Sequence, residues 1–384
     1  MEYTAYFDNA ATTFPKPEEV YAFMNQFYRQ CGVNVGRGQH KLAARAASLV
    51  TETRELLLEL CHCPNKIAVF THTATEALNT IIRGSKWRNR MNVYISPFEH
   101  NSVTRTLYQI SKTYDIRLFE LAFNKQDGFY DIGLIGDQFL QDKPHLIIVS
   151  HASNVCGVVA PIIEIGNLAK KYEAVTIFDM CQTMGLMDTD LSSEVVDYAV
   201  FAGHKTLYSP FGVAGFIGKP SMDINPLIYG GTGIDSASLE LPNTVPERYE
   251  TASPNIQAIA GLNASLRWIR NIGIDTIFQR EQTNRKRLVD ILSQFDNVQI
   301  VPKNDDAHIG VVSCVFNDYV SDSIGQILNE KNIAVRTGLH CASNAHRFLG
   351  TFPSGTVRFS VSYFNNDDDF SLLENALSYI HENS

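Results

Sequence analysis

The sequence predicts an α/β protein, with a large domain on a mostly parallel seven-stranded sheet and a smaller α+β domain after it. Three observations carry this. Short apolar runs at 67–70, 92–96, 117–122, 146–150, 175–179, 198–202 and 213–217 are mostly continuous rather than alternating, as strands buried on both faces are. Helix-periodic segments at 76–83, 101–112 and 162–172 lie between several of them, the alternation that builds a parallel sheet with helices on both sides. Beyond about Ser253 the alternation ends in a long helical stretch and then a mixed pattern.

Each element has its own local reason. Val20, Phe23, Met24, Phe27 and Tyr28 share one face of a helix expected over 16–31, with Gly32 able to cap its end. A second helix is expected over 40–60, where Leu42, Ala46, Leu49, Val50, Thr53, Leu57 and Leu60 form a stripe. The run at 213–217 follows 198–202 with no room for a crossover helix, so it is expected to lie antiparallel to a neighbour. A helical stretch over 255–295 leads to strands expected at 298–301, 310–316, 333–337 and 356–360. The last helix is expected over 367–380, and Asn365-Asn366 suits its N-cap. The expected division is a large domain over 15–265 and a small one over 266–384, with residues 1–14 packing on the small one.

Composition narrows the function classes. Of 384 residues, 45% are hydrophobic and 19% charged, which is ordinary for a globular protein. The formal net charge is −9 and no dense Lys/Arg run occurs, so neither nucleic-acid nor anionic-membrane binding has electrostatic support. The N-terminus has no basic and apolar signal pattern, and no apolar run is long enough to span a bilayer; the expected compartment is the cytoplasm. Seven cysteines without regular spacing argue against a disulfide framework. Cys61-His62-Cys63 lacks a second ligand pair at zinc-site spacing, so no metal is expected.

Several strand ends carry chemistry. Gly203-His204-Lys205 directly follows the run at 198–202, which puts a lysine at the carboxyl edge of the sheet, where α/β proteins bind ligands. An amine confined there can condense with an aldehyde. Asp179 ends the run at 175–179, so one carboxylate stands at a buried strand tip, suited to a protonated ring nitrogen. Gln182 is close enough in sequence to reach a phenolic oxygen on the same ring. Thr73-Ala74-Thr75-Glu76 opens a helix after a strand, and the free N–H groups there form a phosphate cradle or a plain N-cap. His100 opens another helix, where an imidazole can stack on a flat ring or relay protons. Cys341 stands on a glycine-bearing loop between Arg336 and His340, an electropositive setting of the kind that activates thiols. Arg358 lies in the strand-like run 356–360 and needs an anionic partner, such as a substrate carboxylate. No Gly-x-Gly-x-x-Gly follows the first strand, which sets aside a dinucleotide-binding dehydrogenase.

Together these residues resemble the class V aminotransferases of PLP fold type I, in the branch of cysteine desulfurases and selenocysteine lyases. The resemblance covers nearly the whole chain. It runs from Phe7-Asp8-Asn9-Ala10-Ala11-Thr12-Thr13 and Asn34-Val35-Gly36-Arg37-Gly38-Gln39-His40 through Ala74-Thr75-Glu76 and Glu99-His100. It continues with Ser153-Asn154-Val155, Asp179-Met180-Cys181-Gln182, Gly203-His204-Lys205, Arg336 to Ala342, and Arg358. The resemblance implies pyridoxal 5′-phosphate (PLP) as cofactor, with Lys205 as the Schiff-base lysine. It implies Asp179 on the ring nitrogen, Gln182 on the ring hydroxyl, and His100 on the ring face and near the substrate thiol. Ala74, Thr75, His204 and, from a partner subunit of a homodimer, Ser253 would hold the phosphate. Asn154, Arg358 and Asn34 would bind the substrate, and Cys341 would accept its sulfur as a persulfide.

The implied activity is conversion of L-cysteine to L-alanine. The same lysine would serve selenocysteine lysis, cysteine sulfinate β-elimination or transamination, and a non-catalytic sulfur-carrier-binding protein is the third reading. Two departures stand out. Ala202 replaces a serine common before Gly-His-Lys, and Ser343-Asn344-Ala345-His346 replaces a proline-containing segment. The short interval from Cys341 to Arg358 resembles the desulfurases with a compact cysteine loop, which implies a sulfur-acceptor protein docking at the site.

Overall fold

The computed structural model describes residues 4–35, 38–233, 237–302 and 307–383. Its centre is a seven-stranded sheet in the spatial order Ile67–Thr71, Ala214–Gly218, Tyr198–Ala202, Val175–Asp179, Leu146–Ser150, Met91–Ile95, Ile116–Glu120. Ala214–Gly218 is antiparallel to both its neighbours, and the other pairs are parallel. The expected seven strands are all present, each within about two residues of its expected ends.

Both faces of this sheet are buried, which is why its strands read as continuous apolar runs. In Leu146–Ser150, Ile147 and Val149 join one core while Leu146 and Ile148 join the other. Helices Ala74–Gly84 and Asn101–Ser111 cover one face. The other face meets Lys41–Leu60, Ile162–Lys170 and Ile256–Ile272. In the last of these Ile256, Ile259, Leu262, Leu266 and Ile269 are all buried, each contributing roughly 1.5–3 kcal/mol.

A second sheet runs Val298–Val301, Val311–Phe316, Thr356–Ser360, Arg336–Gly338, all antiparallel. Its core includes Leu288, Val312, Phe359 and Phe370, and it takes in Phe7 from the start of the chain. Phe7 meets Phe359 and Phe370 edge-on at centroid distances of 6.4 and 5.6 Å. Ala5–Tyr6 pairs in parallel with Ile333–Ala334.

Three expectations change. The helical stretch over 255–295 is two helices, Ile256–Ile272 and Ile274–Leu292, because Gly273 between them has φ 89° and breaks the ladder. The strand expected at 333–337 is split: Ile333–Ala334 pairs with the N-terminal strand, and Arg336–Gly338 joins the second sheet. Helices Ile132–Gln141, Ser321–Glu330 and Ser343–Leu349 and the hairpin Phe123–Asn124 with Phe129–Tyr130 were not expected. The N-cap of Asp367–Glu382 is Asn366, with Asp369 completing a capping box.

Candidate active site

The strands Ile67–Thr71, Met91–Ile95, Leu146–Ser150, Val175–Asp179 and Tyr198–Ala202 all point the same way. Their carboxyl ends therefore share one edge, and a cavity of about 300 Å³ lies there. Ala74, Thr75, His100, Asn154, Asp179, Gln182, His204, Lys205, Cys341 and Arg358 all line it. Asn34 and Ser253 do not. They line a second cavity, of about 710 Å³, with Arg54, His72 and Glu250. Gly36 and Arg37 of the Asn34–His40 motif lie outside the described residues.

At one end of the first cavity, helix Ala74–Gly84 begins. Thr73 caps it, its hydroxyl accepting from the Glu76 N–H at 3.1 Å. The N–H groups of Ala74 and Thr75 have no acceptor within the helix, and the positive end of the helix dipole lies with them. That cradle suits a phosphate. Thr75 Oγ1 is 3.0 Å from Ser102 Oγ, which is 2.7 Å from His100 Nδ1.

His100 is held in one tautomer. The Ser102 N–H donates to its Nδ1 at 3.0 Å, so in the neutral ring the proton is on Nε2. Burial and then the positive Lys205 push its pKa down to about 4, against the pull of Asp179, so the ring is uncharged at neutral pH. Because Nδ1 carries no hydrogen, the Ser102 hydroxyl donates to it and the Thr75 hydroxyl donates to Ser102.

Asp179 ends its strand, and its Oδ1 accepts from the Cys181 N–H at 3.0 Å, which leaves the second oxygen for a ligand. Glu99 lies deeper and is fully buried. It accepts from Ser96 Oγ at 2.5 Å and from the Ser150 N–H at 2.7 Å. Burial still pushes its carboxyl up to about 7, with help from the charge of Asp179.

The lysine loop is tied to the start of the chain. The His204 carbonyl accepts from the Thr13 N–H at 3.1 Å, Thr12 Oγ1 at 2.9 Å and Lys16 Nζ at 2.6 Å. The Lys205 carbonyl accepts from Thr13 Oγ1 at 2.9 Å. Gly203 has no room for a side chain, since a Cβ would stand 2.6 Å from the Val213 oxygen. The Lys205 amine lines the cavity and has no hydrogen bond or ion pair among the described residues. His204 stacks on Phe211 at 4.4 Å, and burial with the neighbouring lysines pushes its pKa down to about 3. Burial pushes Lys16 down to about 7. The Gln182 amide donates to the Ala10 carbonyl at 2.9 Å, so the N-terminal segment shares it with any ligand.

Cys341 rides on a strained loop. Gly338, His340 and Cys341 have φ of 90°, 46° and 58°, and the last two are not glycine. Three contacts hold them there. His340 Nε2 meets Thr356 Oγ1 at 2.9 Å, Asn154 Nδ2 donates to the His340 carbonyl at 2.7 Å, and the Asn101 N–H donates to the Cys341 carbonyl at 2.7 Å. The thiol is exposed, with Arg336 Nη2 3.3 Å from Sγ. The other six cysteines are buried.

A free lysine amine, a carboxylate at a strand tip and an N–H cradle at the carboxyl edge of a parallel sheet define a fold type I PLP enzyme, and the residues fit that cofactor. The chain belongs to the class-V aminotransferase family, whose model matches residues 5–373. It is 31% identical over 368 residues to a Pyrococcus abyssi protein named "Probable cysteine desulfurase", covering 94% of this chain and 90% of the relative. A Methanothermobacter thermautotrophicus protein of the same name is 28% identical over 379 residues, covering 97% and 94%. The apo structure of the cysteine desulfurase from Thermococcus onnurineus superposes with a TM-score of 0.91 at 27% identity, covering 99% of this chain and 95% of that one.

Sequence reasoning missed Ser102, Asp8 and the buried role of Glu99. Glu99 and Asp8 stand inside the quoted motifs, so the motifs were the available signal. Ser102 had none beyond its place after a histidine N-cap.

Proposed function

We propose that the protein is a cysteine desulfurase, which removes sulfur from L-cysteine, releases L-alanine and carries the sulfur on Cys341. The observation that carries this reading is that an exposed thiol, Cys341, and an amine with no partner among the described residues, Lys205, line one cavity. When bound, PLP supplies an aldehyde that condenses with amines and a ring that accepts an electron pair. Ala74 and Thr75 would hold its phosphate through their N–H groups, with His204 lining the same cavity. Asp179 would hold the ring nitrogen, Gln182 the ring hydroxyl, and His100 would lie against the ring with Nε2–H as a donor.

Lys205, whose amine lines the cavity, would hold the cofactor and would take the substrate α-proton on Nζ. Asn154 and Arg358 hold the substrate carboxylate. Cys341 Sγ attacks the substrate sulfur: an S–S bond forms as the carbon–sulfur bond breaks, and the electron pair and a proton go to the carbon fragment. The balance is one thiol and one cysteine giving one persulfide and one alanine. Arg336 Nη2 lies beside Sγ.

The wider reading is a cytoplasmic homodimer. Seven unpaired cysteines suit a reducing compartment. The exposed thiol suits hand-over to an acceptor protein. The division into units over 15–265 and 266–384 belongs to the same proposal. The separate core of the second sheet supports a small unit, and helix Ile274–Leu292 touches that core through Leu288 and a core of the large sheet through Ile277.

The test is to supply L-cysteine and measure alanine and sulfide. Cys341→Ala is expected to lower turnover about 100-fold or more while the visible band formed with PLP stays. Undiminished turnover would remove the persulfide step. Equal rates of both proteins on selenocysteine, with none on cysteine, would move the assignment to a lyase.

A further inference from the structure

We propose that Asp8 is a positioning residue for substrate recognition: it orients Arg358 from behind, so that the substrate carboxylate is received at the Nε edge of the guanidinium. The identity of the carboxylate rests on the desulfurase reading.

Arg358 sits mid-strand in Thr356–Ser360 and is 1% exposed. A cation so placed must be paired. Its Nη2 donates to Asp8 Oδ1 at 2.6 Å, and its Nη1 donates to the Asn154 carbonyl at 2.8 Å. Its Nε is buried and has no partner among the described residues. Two nitrogens are thus fixed by the protein and the third is left over, in a residue that lines the cavity. A carboxylate is the natural acceptor for such an edge, because it can bridge two adjacent N–H groups.

Asp8 does not line the cavity, so it does not stand in the ligand's way. It is clamped beside the strand it serves. Asp8 forms a parallel bridge with Ser360, the Ser360 N–H donates to the Phe7 carbonyl at 2.6 Å, and the Ala10 N–H donates to Ser360 Oγ at 2.8 Å. This pairing fixes the Asp8 backbone beside the strand that carries Arg358. Charge counting agrees. Arg336 lies directly across the strand pair from Arg358, so two guanidinium groups are neighbours. With one carboxylate, Asp8, against two guanidinium groups the pair keeps a net positive charge, which favours an anionic substrate group.

The experiment compares wild type with Asp8→Asn and Asp8→Ala. Calorimetry gives the Kd of 3-mercaptopropionate, which has the carboxylate and thiol of cysteine but no amine to condense. Turnover of L-cysteine gives KM and kcat separately. Asp8→Ala is expected to raise both Kd and KM about tenfold or more, with kcat within about threefold. Asp8→Asn keeps an oxygen acceptor and is expected to fall between. It also carries the test if the alanine variant does not fold. Kd and KM within about twofold of wild type in every folded variant, or tighter binding in either, overturns the proposal, as does a loss confined to kcat. If wild type makes no alanine, the desulfurase reading fails on its own, and the mercaptopropionate Kd still decides the role of Asp8.

Discussion

Glu99 lies below the cavity next to the histidine that faces it, and burial decides its chemistry. Its folded pKa is about 7, raised from an ordinary 4.5, because burial outweighs the hydrogen bonds from Ser96 and Ser150. The raised value means that the folded protein holds this proton more tightly than the unfolded chain does. The contribution of Glu99 to stability is therefore greatest below about pH 4.5 and is lost as pH rises to about 7. The loss is on the order of 3 kcal/mol. Glu99→Gln removes the titration. Its unfolding free energy, measured in urea on cofactor-free protein, is expected to gain on wild type between pH 5 and pH 8. A difference between the two proteins that does not change with pH would show that Glu99 titrates normally. His100 and His204 shift in the opposite sense and are common to both proteins, so they cancel in the comparison.

Residues that act through sequence neighbours were legible, and those that act through distant ones were not. Asp179 and Lys205 could be placed because an apolar run ends just before each. Asp8 reaches Arg358 across 350 positions, and no local pattern announces that pairing. Ser102 meets Thr75 across 27 positions for the same reason.

Among elements, the buried strands were the easiest to read, since two covered faces demand an unbroken apolar run. The missed helices lacked such a signature. Ile132–Gln141 contains Gly133 and Gly136, which weaken helix propensity, and Ser343–Leu349 has only seven residues. The final helix shows what a local signal is worth. Asn366 accepts from the N–H groups of Asp368 and Asp369, while the Asp369 side chain accepts from the Asn366 N–H. Phe370, Leu373 and Leu377 of this helix fill the second core. Loss of the cap therefore loosens the surface against which the N-terminal strand packs. Asn366→Ala is expected to lower the unfolding free energy by about 1 kcal/mol. A change below about 0.3 kcal/mol would mean that the first turn is held by tertiary packing alone.

At the scale of the whole molecule, two expected site residues, Asn34 and Ser253, need an explanation. Both line the second cavity rather than the first. A dimer that set this surface against the partner's active site would account for both, and mixing variants tests it for Ser253. Ser253→Ala removes a hydroxyl donor to a charged group, which is expected to weaken PLP affinity about tenfold. Lys205→Ala forms no visible band. If Ser253 serves the partner's site, a mixed dimer has one site with both an intact Lys205 and a borrowed Ser253. Unfolding and refolding the two variants together is then expected to restore wild-type PLP affinity at the Lys205-bearing site of every mixed dimer. If Ser253 served its own chain, every lysine-bearing site would keep the serine defect, and titration of the mixture would show only the weakened affinity.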